Sequence, residues 1–134
     1  MEVPHDATLL RIFTSVSDRY GNEPLHHAIV TKAREHHPAG ATVLRGTVGF
    51  GHSGHLRELS HSLINTHLPV IIEIVDAEEK IDSFLPLLDE LMESGLVTLE
   101  KAKVLQYGRH RASLAERIKN YVDRKLGATP IPVE

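Results

Sequence analysis

The sequence predicts an α+β domain of ferredoxin-like order, βαββαβ, followed by one extra helix. Three observations carry that prediction. Residues 70–75 are apolar at both parities apart from Glu73, the mark of a central strand covered on both faces. Strand, helix, strand occurs twice in succession along the chain. A length of 134 residues leaves room for one modest core and not for two.

Residues 8–14 combine β-branched and aromatic side chains and read as the first strand, which Gly21-Asn22 breaks. Asn22 is placed to cap the first helix, with Pro24 near its first turn and Leu25, Ala28, Ile29 and Ala33 on one face. His37-Pro38 and Gly40 end that helix, and residues 42–48 form the second strand. After the central strand, Asp76 and Glu79 stand at the spacing of a capping box. Ile81, Phe84, Leu85, Leu88, Leu91 and Met92 then recur at offsets of three and four, the strongest helical stripe in the chain. Pro86 is expected to bend this helix, Gly95 to terminate it, and residues 102–107 to form the last strand.

Helices cover one face of such a sheet. Because the central strand is apolar on both sides, the uncovered face is expected to pack against copies of the chain in a closed symmetric oligomer. Glu73, a charge inside an apolar strand, needs a partner, and Arg11 and Arg45 are the candidates.

Composition narrows the function classes. The chain has no cysteine, which excludes disulfides, thiolate zinc sites and cysteine nucleophiles. No apolar run approaches the roughly 20 residues of a spanning helix, and the first residues lack a basic and apolar leader, so a cytoplasmic location is expected. A net charge of −3, with three Phe, three Tyr and no Trp, argues against a nucleic-acid partner. Ten histidines make the charge pH-sensitive, enough to reverse its sign if all were protonated. No G-x-S-x-G, Walker loop, zinc-protease signature or paired-acid motif occurs, and an enzyme is not expected.

The run Arg45-Gly46-Thr47-Val48-Gly49-Phe50-Gly51-His52-Ser53-Gly54-His55 reads as a ligand loop, since its four glycines permit close approach of backbone amides to a bound group. Its histidines carry a second reading. His52 and His55, joined by His61 or by a symmetry mate, are candidate ligands for a divalent metal.

Several fragments stand in an order that resembles PII signal-transduction proteins: Ala39-Gly40-Ala41-Thr42-Val43, then Gly49-Phe50-Gly51 with Gly54-His55, then Ile72-Glu73-Ile74-Val75. More closely, VLRGTVGFG, LPVIIEIVDAEEKIDSFLPLLDEL and GLVTLEKAKVLQY resemble a PII-like family known as a domain of unknown function, over about residues 7–108. The resemblance implies a trimer of ferredoxin-like subunits, with adenine nucleotides in clefts between neighbours. It also implies a mobile loop after the second strand that reports occupancy to a protein partner, such as a membrane transporter or channel.

By the same resemblance, Thr42, Gly49, Phe50, Gly51, Glu73 and Val75 correspond to positions at or beside the nucleotide cleft, and Arg109 and Arg111 to paired basic residues that reach phosphates. One departure bears on the ligand. PII proteins carry a glycine- and lysine-rich turn before the last strand, whereas residues 95–100 here hold one glycine and an acid. AMP or a cyclic nucleotide is therefore expected ahead of ATP.

Residues 1–110 form the expected domain and residues 111–134 a C-terminal helix with a short tail. Ser113-Leu114-Ala115-Glu116 is a capping box, and Leu114, Ile118, Tyr121, Val122 and Leu126 supply one apolar face before Gly127. That face is expected to pack on its own or a neighbouring subunit, the alternative being a docking helix for another protein. The whole reads as a nucleotide-binding PII-like regulator signalling through residues 46–67. The alternatives are a histidine-based metal-binding trimer and a structural interaction module without a small ligand.

Overall fold

The computed structural model describes residues 3–36, 39–58, 67–108 and 113–127. In chain order the elements are β1 (Asp6–Ser15), β2 (Arg19–Tyr20), β3 (Glu23–Pro24), α1 (Leu25–His36), β4 (Thr42–Arg45), β5 (Val48–Gly49), β6 (Arg57–Glu58), β7 (Pro69–Asp76), α2 (Glu78–Leu91), β8 (Leu96–Lys103) and α3 (Leu114–Lys125). Strands β4, β7, β1 and β8 lie in that order in one antiparallel sheet. Helices α1 and α2 pack against one face of it, which is the ferredoxin-like arrangement with α3 added.

The core lies between that face and the two helices. Strand β7 alternates strictly, with Val70, Ile72 and Ile74 buried under the helices and Ile71, Glu73 and Val75 on the open face. Leu10 and Ile12 of β1 complete the strand side of the core. From above come Leu25, Ile29 and Ala33 of α1 and Ile81, Phe84, Leu88 and Leu91 of α2, the faces expected from their spacing. Phe84 is fully buried, and the removal of such a ring from water contributes about 2 to 3 kcal/mol.

Several local expectations are corrected. Asn22 does not cap α1: it sits in the two-residue turn between β2 and β3, where its carbonyl accepts from Arg19, and the Leu25 N–H donates to Asp18 at 2.8 Å. The capping box at Asp76 does not form, because Asp76 is the last residue of β7 and Ala77 takes the cap position. Asp76 instead accepts from the Ala77 N–H at 2.7 Å. The second strand ends at Arg45, since the Gly46 N–H turns to the Pro69 carbonyl, and Val48–Gly49 forms a separate small hairpin with Arg57–Glu58.

The last strand starts earlier than residue 102. Residues 96–100, read as a turn, are β8 itself, and they escaped the pattern because Leu96, Val97 and Leu99 of this edge strand are exposed on both faces. Gly95 serves the strand rather than the end of α2. Its φ is +129°, and a Cβ there would stand 2.8 Å from the Phe13 carbonyl oxygen.

Candidate functional site

The open face of the sheet carries the site. Register places Thr42 opposite Glu73, Leu9 opposite Val75 and Ala7 opposite Ala102, so these side chains share the face that the helices leave uncovered. At the end of the sheet where β7 and β8 finish, an open groove of about 930 Å³ has Thr42, Glu73, Val75, Leu9 and Ala102 on its floor. Residues 39–41 form one wall and residues 103–108 the other, with Leu114 at the start of α3 closing the end.

The wall at residues 103–108 is held in place from both sides. The Val104 N–H donates to the His5 carbonyl at 2.7 Å, and His5 Nδ1 lies 3.0 Å from the Val104 carbonyl oxygen. Arg117 of α3 donates to the Leu105 carbonyl. The groove is therefore built partly by the C-terminal helix.

Its polar groups are few. Glu73 Oε2 accepts from Arg11 Nη2 at 2.9 Å and from Arg11 Nε at 3.1 Å, which settles its partner as Arg11 rather than Arg45. Lys103 binds Asp6, and the Lys103 ammonium holds the Asp6 carboxyl below the usual carboxylate range. Gln106 and Tyr107 add side-chain hydrogen-bonding groups along the wall. A mostly apolar floor with a small number of such groups suits a flat, partly polar ligand.

Of the residues singled out in the sequence, Thr42, Glu73 and Val75 meet in the groove. Gly49, Phe50 and Gly51 do not line it. They belong to or follow β5, where Gly49 packs on Pro69 and Phe50 is 74% exposed. Arg109 and Arg111 lie outside the described residues, as does His61. His52 and His55 are exposed beyond the β5 strand, and among the described residues no three histidine or carboxylate side chains form a metal-holding group.

Sequence reasoning missed the wall formed by residues 103–108. Its one local sign is Gly108, a breaker shortly after the apolar pair Val104-Leu105, and it takes φ +72°.

The family model described as "Uncharacterized ACR, COG1993" (DUF190) matches residues 7–104. A UPF0166 protein of Aquifex aeolicus (strain VF5) is 37% identical over 99 residues, which cover 72% of this chain and 91% of that one. A UPF0166 protein of Methanocaldococcus jannaschii is 33% identical over 99 residues, covering 73% and 91%. Among solved structures, CPII, a nitrogen regulatory PII-like protein from Thiomonas intermedia K12 bound to ADP, AMP and bicarbonate, matches with a TM-score of 0.52 at 16% identity, over 74% of this chain and 88% of that one. At that identity the likeness speaks for the fold.

Proposed function

The chain belongs to the DUF190 family, and from that membership and its PII-like fold we propose that it is a regulatory protein binding a small adenine nucleotide in the groove on the open sheet face. The observation that carries the reading is the convergence of Thr42, Glu73 and Val75 on one groove. The fold relative from Thiomonas intermedia, bound to ADP and AMP, supports the ligand class.

Size and charge favour a ligand with little phosphate. The turn between α2 and β8 is confined to residues 92–95, with one glycine and the acid Glu93, so it offers few amide donors to a polyphosphate. AMP or a cyclic nucleotide is the better fit, with ATP behind. Arg109 and Arg111 are the proposed phosphate-reaching pair.

The open face also accounts for assembly. Leu9, Phe13, Ile71 and Val75 stand there with Leu44 and Leu96, both largely exposed in the single chain. Covering them with two further copies gives a homotrimer, in which the groove becomes a cleft between neighbours. Ligand bound there shifts the conformational populations of the loop 46–67, and a target protein reads the change.

A thermal-shift panel of AMP, ADP, ATP, cyclic nucleotides and divalent metals tests the proposal. A nucleotide at 100 times its dissociation constant adds about 2.7 kcal/mol of stability. No shift with any nucleotide overturns the ligand reading, and a shift with metals alone moves the site to His52 and His55. A monomeric mass by light scattering at micromolar concentration overturns the trimer.

A further inference from the structure

Helix α3 is turned the opposite way from its amphipathic pattern. Beyond Leu114, which closes the groove, its contacts with the rest of the chain are polar or aromatic: Asn120 is buried, Arg117 donates to the Leu105 carbonyl, and the Tyr121 ring lies 6.3 Å from that of His5. The apolar residues after Leu114 stay partly exposed. Ile118, Val122 and Leu126 are 42, 43 and 79% exposed, and at offsets of four they form one stripe along the helix, while Leu114 at its start lines the groove. Tyr121, expected in the same stripe, sits at its inner border.

The charges around this stripe are not balanced. Leu114–Lys125 carries Arg117, Lys119, Arg124 and Lys125 against Glu116 and Asp123, in a chain whose net charge is −3. At about 3.6 residues per turn, Lys119 and Lys125 fall on the two borders of the stripe, while Glu116 and Asp123 fall beyond Lys119. Glu116 is further occupied by its own cap, accepting from the Ser113 N–H at 3.3 Å.

We infer that α3 is a docking helix for an anionic lipid surface, with Ile118, Val122 and Leu126 entering the headgroup boundary and Lys119 and Lys125 meeting lipid phosphates on either side. A basic amphipathic helix of low overall hydropathy is the form that lies in such an interface. The long lysine stems let the ammonium groups reach the headgroups while the apolar stripe sinks.

A second copy fits less well. Three partly exposed side chains offer a few hundred Å², against the roughly 800 Å² per partner of a stable protein interface. The larger apolar surface for copies is the open sheet face. The inference does not depend on the nucleotide reading, and α3 lies beyond residue 104, where the family match ends.

The test is co-sedimentation of the full-length chain with vesicles of phosphatidylcholine alone and of phosphatidylcholine with an equal part of phosphatidylglycerol, at about 0.1 M and 0.5 M salt. The expected result is binding to the anionic vesicles, weakened by the higher salt. Ile118→Gln/Val122→Gln should abolish it, and Lys119→Gln/Lys125→Gln should weaken it roughly 25-fold, about fivefold for each lysine. Wild-type protein that stays in solution with anionic vesicles, or binds both vesicles equally, overturns the inference. So does a fall in oligomeric mass in Ile118→Gln/Val122→Gln, which would assign the stripe to another copy.

Discussion

Arg11 and Glu73 face each other across β1 and β7 on the open side of the sheet, 2.9 Å apart, and each side chain is 29% exposed. Glu73 belongs to the floor of the groove, while Arg11 also lies 3.6 Å from Glu100 of β8. One cation thus spans three strands from the groove towards the edge of the sheet. Replacing Glu73 by Ala should cost about 1 kcal/mol, held down by partial solvent screening and by Glu100 as a second partner. A double-mutant cycle of Arg11→Met and Glu73→Ala in urea denaturation should give a coupling of about 1 kcal/mol or less.

The same groove supplies a ligand-specific prediction. Val75→Phe places a larger side chain on its floor without entering the helix-covered core. Measured against the variant's own melting temperature without ligand, the shift produced by AMP should fall by more than half. An unchanged AMP shift would place the nucleotide elsewhere.

Phe84 anchors the other side of the sheet. It is fully buried in α2, so Phe84→Ala should destabilise the chain by about 3 to 5 kcal/mol through lost transfer energy and a residual cavity. A denaturation midpoint close to that of the wild type would show that the helices do not pack as described.

Two glycines should respond in opposite ways. Gly95 holds φ +129°, and a Cβ would stand 2.6 Å from Met92 Cε and 2.8 Å from the Phe13 carbonyl oxygen, so Gly95→Ala should cost about 2 kcal/mol or more. At Gly51 a Cβ meets nothing within 4 Å, and Gly51→Ala should stay within about 0.5 kcal/mol of the wild type. Thermal melts of the two variants side by side make the comparison.

His26 makes stability depend on pH. Burial first, then the charges of Arg45 and His27, hold its imidazole below the usual histidine range, and its Nδ1 is buried without a hydrogen-bond partner among the described residues. Between the folded and unfolded values the unfolded chain therefore binds the proton more readily. Its contribution is present above about pH 6.5 and is lost as the pH falls below it. Denaturation midpoints at pH 7.5 and 5.5 should differ less in His26→Gln than in the wild type.

Much of the fold was legible because its signals are short in sequence range. The buried face of α1, the stripe of α2 and the capping box of α3 each follow from residues within a turn or two of one another, whereas residues 70–75, apolar at both parities, did not say which of them the helices bury. The site was legible in part. Thr42, Glu73 and Val75 were recognisable by resemblance, whereas the wall at residues 103–108 depends on His5 and Arg117, whose partners are distant or unpatterned. The early start of β8 was hidden because an edge strand exposed on both faces loses the alternation that marks a strand.

The amino-acid sequence by itself determined the order of the main strands and helices, which residues of α1 and α2 are buried, and the cap of α3, since local hydrogen bonds and periodicity decide these; the small β2–β3 and β5–β6 hairpins and the buried parity of β7 did not show in it. Tertiary structure alone decided that Glu73 pairs with Arg11, that Gly95 lies against Phe13, and that α3 turns its polar side inward. Strand register and helix facing depend on contacts between different segments of the chain, such as Arg11 with Glu73 and His5 with Val104, and no periodicity within one segment carries that information.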